Sequence, residues 1–187
     1  MDITERKQVE EALRRSERDL SDFFENASTG MHWVGLDGII LRVNQTELDM
    51  LGYRRDEYVG RHISEFHVDQ PVIQDILVRL TCGETLRDCP ARLRCKDGSI
   101  RDVLINSNVL FEDDTFIHTR CFTRDVTGPK RAEEALRLSE ARYRELIQAL
   151  PAAVYTCDER GYITLYNQAA VALWGREPEL GKDLWCG

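Results

Sequence analysis

The chain has 187 residues, 42% hydrophobic and 31% charged, with a formal net charge of -8. These values describe one large or two small water-exposed domains, and the acidic balance argues against a general nucleic-acid binder. No apolar run is long enough to span a bilayer, and the charged N-terminus is unlike a signal peptide, so a cytoplasmic protein is expected.

The first element is a helix over residues 5–27. Val9, Leu13, Ser16, Leu20, Phe23 and Ala27 follow the alternating four-three spacing of a heptad stripe, and charges fill the other faces. This stretch is written twice. Residues 2–20 (DITERKQVEEALRRSERDL) and 125–143 (DVTGPKRAEEALRLSEARY) align without a gap at an offset of 123, with ten identities in nineteen positions. The second copy carries the same stripe at Ala132, Leu136, Ser139, Tyr143, Leu146 and Leu150. An amphipathic helix folded onto its own domain is the plain reading. A homodimer paired along Val9, Leu13, Leu20 and Phe23, and along Leu136, Tyr143 and Leu146, is the preferred one. The sequence does not fix parallel or antiparallel pairing.

After Ala27-Ser28-Thr29-Gly30 the pattern turns to strands at Met31–Gly35 and Ile39–Val43 around Leu36-Asp37-Gly38. Asn44 is placed to cap a helix over Gln45–Leu51 that Gly52 ends. A turn or short helix follows at 53–60, an irregular stretch at 61–70 and a helix at Val72–Leu80. Three antiparallel strands complete the module: Leu86–Lys96, Ile100–Leu110 and Thr115–Arg124, with turns at Asp97-Gly98 and Glu112-Asp113-Asp114. Ala91, Leu93 and Cys95 alternate with Arg92, Arg94 and Lys96. The last two strands are apolar on both alternating faces, which a connector helix packed across the second face would explain. The expected fold class is α+β: a five-stranded antiparallel sheet with short helices on one face, flanked by long amphipathic linker helices.

Asp37-Gly38-x-Ile40-x-x-Val43-Asn44, then Leu51-Gly52-Tyr53, Glu57 and Gly60, resembles the first half of a PAS domain. Arg94-x-Lys96-Asp97-Gly98 followed by Arg124-Asp125-Val126-Thr127 is similar to its PAC-type C-terminal half. Gly161-x-Ile163-x-x-x-Asn167 and Trp174-Gly175 repeat the pattern in the second copy. The resemblance implies a linker helix at 1–20, a complete PAS domain at 21–127, a second linker at 128–146 and the N-terminal part of a truncated PAS domain at 147–187. Residues 147–187 are then expected to pack poorly, to swap with another chain or to depend on a partner.

The same resemblance implies a sensory or relay module of a multi-domain signal-transduction protein such as a bacterial sensor histidine kinase, with an output domain elsewhere in the parent. A ligand-free dimerisation scaffold is the alternative. Asp125 and Thr127 are assigned to signal transfer, the aspartate pairing with a base of the module and Thr127 capping the output helix. The flavin-photosensor cysteine is missing from Arg61–His67, which argues against flavin. Haem rests on His62 and His67 alone, and surface or hydrogen-bonding histidines are the preferred reading there. His32 and His118 read as half-buried strand residues. Met31 and Trp33 have no face fixed by alternation, and Trp33, Phe66, Phe116 and Phe122 read as core or interface aromatics. The six cysteines form no CxxC or zinc spacing and read as reduced, mostly buried thiols, so no metal is expected. With no phosphate loop, nucleophile elbow, HExxH or phosphoacceptor histidine motif, a non-catalytic regulatory segment is expected.

Overall fold

The computed structural model describes the backbone of residues 3–184 and the side chains of residues 6–184. Asp2 of the first repeat copy and Cys186 lie outside the described residues. Of the five described cysteines only Cys95 and Cys121 are buried, against the expectation that most would be. The chain divides into two compact units, with the boundary between Lys130 and Arg131.

In the first unit, α1 (Ile3–Glu25) leads into β1 (Gly30–Val34) and β2 (Ile40–Val43). Then come α2 (Gln45–Leu51), α3 (Arg55–Tyr58), a 3-10 turn at Ile63–Glu65 and α4 (Gln70–Thr81). Strands β3 (Leu86–Arg94), β4 (Ile100–Glu112) and β5 (Thr115–Asp125) complete one antiparallel sheet in the order β2-β1-β5-β4-β3. The expected α+β architecture is present. Its edges follow local chemistry. Pro90 sits in β3, an edge strand, where a missing N–H costs no ladder bond on the open side. The register shifts between Leu86 and Cys89, where Asp88 takes a φ of 44°. Asp113 and Asp114, at φ 46° and 60°, form the tight β4–β5 turn, whose two left-handed positions match the twist of the strands.

The core lies between one face of the sheet and helices α2 and α4. Ile40, Leu51, Tyr58, Ile73, Leu93 and Val103 are its buried centre. Asn44 organises the entry to α2. Its Oδ1 accepts the N–H groups of Met31 and Glu47 at 2.9 and 3.0 Å, and its amide donates to the Thr29 carbonyl at 2.9 Å. One side chain therefore caps the helix and ties it to β1.

The second sheet face is covered differently from expectation. Only the end of α1 reaches it: Phe24 is buried against Trp33, which stacks on His118 at 4.3 Å, and the Arg42 guanidinium lies over both the Phe24 and Trp33 rings. The side chains of residues 6–22 are exposed, including Val9, Leu13 and Leu20. A helix charged on most faces has only its narrow heptad stripe to bury, and this chain alone does not bury it.

The second unit holds most of α5 (Thr127–Ala149), then β6 (Tyr155–Cys157), β7 (Ile163–Tyr166) and α6 (Gln168–Trp174), with β6 and β7 antiparallel. Its buried side chains among the described residues are Ile163, Asn167, Ala170 and Pro178. Asn167 repeats the work of Asn44: its Oδ1 accepts from Val154 N and Ala170 N, and its amide donates to the Ala152 carbonyl.

Candidate functional site

β1, β5 and β4 place one residue each in a row across the inner face of the sheet: His32, Cys121 and Ser107 are direct cross-strand partners. All three are buried. Alternation on β1 turns Gly30, His32 and Val34 inward and leaves Met31 and Trp33 on the outer face. His32 is therefore not a half-buried strand residue; it is 3% exposed at the heart of a polar cluster.

Glu47, fully buried on α2, faces His32. Its Oε1 lies 3.3 Å from His32 Nδ1, at ion-pair distance but off the hydrogen-bonding direction. The same oxygen accepts from Thr123 Oγ1 at 3.3 Å and from the Tyr58 hydroxyl at 3.5 Å. Oε2 has no partner among the described residues and fills the space that Gly30 leaves by lacking a side chain; a Cβ there would collide with it. Burial pushes the Tyr58 hydroxyl well up, and the neighbouring Glu47 carboxylate adds to this.

Cys121 lies beside His32 as its direct partner on β5. Ser107 Oγ and Thr119 Oγ1 lie 2.9 and 3.3 Å from the sulfur. Thr119 already accepts the Val34 N–H, so its hydroxyl proton is free for the sulfur. Burial pushes the Cys121 thiol up, but the His32 charge and the surrounding hydrogen bonds outweigh it and hold the thiol below its ordinary value. Burial likewise drives His32 down, and the adjoining Cys121 and Glu47 charges reverse this and raise it.

Beneath this row lies a cavity of about 20 Å³, walled by Ile73, Ile76, Leu77 and Leu80 of α4 and bordered by His32, His67, Thr119 and Cys121. His67 is 4% exposed, and its Nδ1 has no partner among the described residues. Burial, with His32 nearby, lowers its pKa to about 4, so at neutral pH it presents an uncharged ring to the cavity. His62 is elsewhere. Its Nδ1 contacts Ser64 Oγ at 2.7 Å and accepts the Ser64 N–H, starting the 3-10 turn, and its ring packs where Gly38 leaves room. The two haem candidates thus do not share a site. A cavity of about 20 Å³ takes roughly one water, whereas a drug- or cofactor-sized ligand needs about 300 Å³ or more. Neither haem nor flavin fits this packing.

The other chemistry expected from the sequence lies at the sheet–helix joint. Asp125 pairs with Arg101 at 3.1 Å and accepts the Thr127 N–H at 2.8 Å. The capping oxygen therefore belongs to Asp125. Thr127, in the first turn of α5 and buried, spends its hydroxyl on β4 instead: it accepts the Asp102 N–H at 2.9 Å and donates to the Asp102 carbonyl at 3.4 Å. Lys130 Nζ adds an ion pair to the Asp102 carboxylate at 2.8 Å. Of the stripe residues, Val9, Leu13, Leu20, Phe23, Leu136, Tyr143 and Leu146 are all exposed. Phe66 is core, while Phe122 is exposed and Phe116 half-buried. His118, on the outer face, is buried, with Nδ1 3.0 Å from the Thr119 carbonyl.

Sequence reasoning missed Glu47 and Cys121. Glu47 sits on a short helix beside other polar residues and reads as solvated. The repeat held a signal: Gly30 and Glu47 align with Ala153 and Ala170, a paired exchange of glycine-plus-acid for two alanines.

PAS domain models match residues 28–128 and 141–187. The chain is 26% identical over 148 residues to a methyl sulfide methyltransferase-associated sensor of Methanosarcina acetivorans, covering 77% of this chain and 14% of that protein. It is 27% identical over 155 residues to sporulation kinase E of Bacillus subtilis, covering 78% and 19% respectively. The chain thus spans less than a fifth of either relative. Among solved structures, the PAS domain of an HTR-like protein from Haloarcula marismortui superposes with a TM-score of 0.57 at 26% identity, over 64% of this chain and 98% of that one. A domain of a sensory box sensor histidine kinase/response regulator from Geobacter sulfurreducens shares the fold at a TM-score of 0.52 and 24% identity, over 60% and 96%. The chain belongs to the PAS domain family.

Proposed function

We propose that this chain is a non-catalytic sensory and relay segment of a cytoplasmic multi-domain signalling protein, of sensor histidine kinase type, that works as a homodimer through its linker helices. The observation that carries the reading is the joint at Asp125 and Thr127. One residue of β5 both closes an ion pair to β4 and caps α5, and the next-but-one residue clamps the helix start to the Asp102 peptide. A displacement of β4 against β5 therefore has a rigid path to the output helix, while β5 also carries Thr119, Cys121 and Thr123 of the polar cluster. Similarity to a named sensor and a named kinase supports the signalling context. Among the described residues no helix is long and apolar enough to cross a membrane.

The small cavity favours a relay that needs no large ligand. Dimerisation is supported by the exposed stripe, since Leu13 and Leu20 at 59% and 67% exposure are costly to leave in water. Light scattering tests it: the chain is expected at twice its monomer mass, and Leu13→Asp with Leu20→Asp at monomer mass with an unchanged fold. Equal masses for both proteins would reject the dimer.

A further inference from the structure

We propose that Cys121 is a site of reversible oxidation by hydrogen peroxide, with the cavity beneath β5 admitting the oxidant and His32 and His67 serving the reaction. Three independent features converge on this sulfur. It borders a cavity sized for about one water, so a two-oxygen molecule can be taken up with little repacking and a bulkier one cannot. It is surrounded by groups that stabilise a thiolate: the His32 imidazole across the strand pair, Ser107 Oγ at 2.9 Å and Thr119 Oγ1 at 3.3 Å. The opposite wall presents His67, a buried ring whose Nδ1 has no partner among the described residues, and a peroxide O–H or oxygen would supply one.

Cys121 is the direct cross-strand partner of His32, and Glu47 Oε1 lies 3.3 Å from His32 Nδ1, so a thiol, an imidazole and a carboxylate adjoin in the buried cluster. Held below its ordinary pKa by these neighbours, the thiol has a larger reactive thiolate fraction than an isolated buried cysteine. The thiolate sulfur attacks one peroxide oxygen. An S–O bond forms, the O–O bond breaks, and the departing hydroxide takes the His32 proton and leaves as water. Sulfur loses two electrons and the peroxide gains them, giving a sulfenic acid. No second sulfur lines the cavity among the described residues, so the product is not consumed locally as a disulfide. An external thiol reductant reverses it when local opening of the fold admits it, condensing with the sulfenic acid and releasing water, and a second thiol frees Cys121. Leu77 is the one residue lining the cavity that is not buried, which makes it the route of entry.

The chemistry stands without the relay reading. Its consequence rests on it: an added oxygen in so small a space displaces β5 four residues before Asp125.

The test exposes the whole reduced, folded chain to hydrogen peroxide for timed intervals and removes the peroxide with catalase. The chain is then denatured in dimedone, so that every sulfenic acid is trapped and assigned by peptide mass analysis. Cys121 is expected to be labelled about tenfold faster than the exposed Cys82, and His32→Gln to remove that advantage. Leu77→Ala is expected to accelerate labelling, and tert-butyl hydroperoxide to label Cys121 at least about tenfold more slowly than hydrogen peroxide. Labelling of Cys82 ahead of Cys121 in the wild-type chain overturns the proposal without reference to any variant. Labelling of Cys121 only when the chain is denatured before the peroxide is added, or equal rates with both peroxides, overturns it as well. A change in α5 hydrogen exchange after oxidation addresses the relay separately: labelled Cys121 with unaltered α5 would reject the consequence and keep the chemistry.

Discussion

Thr127 holds the backbone of Asp102 on both sides of its Cα, its hydroxyl accepting the N–H at 2.9 Å and donating to the carbonyl at 3.4 Å. Both groups belong to β4, and Thr127 opens α5, so the first turn of the output helix is hydrogen-bonded into the sheet. The Asp102 carbonyl also accepts the Val126 N–H at 2.9 Å. Replacing Thr127 with Val keeps the shape and strands the Asp102 N–H. Thr127→Val is expected to destabilise the first unit by about 1–3 kcal/mol, read by urea denaturation. Thr127→Ser, which keeps the hydroxyl, is expected to lose less than half as much.

Gly30 and Glu47 form a steric pair. A Cβ on Gly30 meets Glu47 Oε2 and also approaches the Thr123 carbonyl at 3.2 Å. Gly30→Ala is therefore expected to cost about 1–3 kcal/mol. In a Glu47→Ala background the same change is expected to cost at least about 1 kcal/mol less, because the colliding oxygen is gone, as in the Ala153 and Ala170 of the second copy. Additive losses in this cycle would show that the clash is with the backbone alone.

His67 sets an acid limb. Its folded-state pKa is depressed to about 4, below the ordinary imidazole value of about 6.5. The unfolded chain therefore takes up a proton that the folded chain refuses between these values, and stability falls as pH drops through that window. The slope contributed is at most about 1.4 kcal/mol per pH unit. His67→Gln is expected to flatten the limb between pH 6.5 and about 5, above the range where carboxylates add their own effects. An unchanged slope would show that His67 is protonated in the fold.

Local signals carried most of the fold. Asn44, Gly52, Asp97-Gly98 and the paired aspartates at 113 and 114 each act through their own backbone, so their roles are readable where they stand. The helix Gln45–Leu51 has the bounds its flanking residues imply. What the sequence hid depends on register. The inward face of β1 is decided by pairing with β5, 85 or more residues away, and only that pairing sets His32 against Cys121. Glu47 shows no apolar periodicity to betray its burial, since its partners Thr123, Tyr58 and His32 come from three other segments. The joint was half legible: Asp125 and Thr127 were identifiable, but which of the two caps α5 follows from the reach of Asp102, a residue on another strand.

The central claim is that the state of the buried cluster reaches α5 through Asp125 and Thr127. Glu47→Gln perturbs the cluster at Thr123, two residues before Asp125, without touching the helix. The decisive measurement is amide hydrogen exchange over the first two turns of α5 in Glu47→Gln, alone and combined with Asp125→Asn and Thr127→Val. The account predicts altered protection there in Glu47→Gln relative to wild type, and no such difference once the joint is removed from both backgrounds. Protection in α5 that ignores Glu47→Gln, or that responds equally with and without the joint, would contradict it.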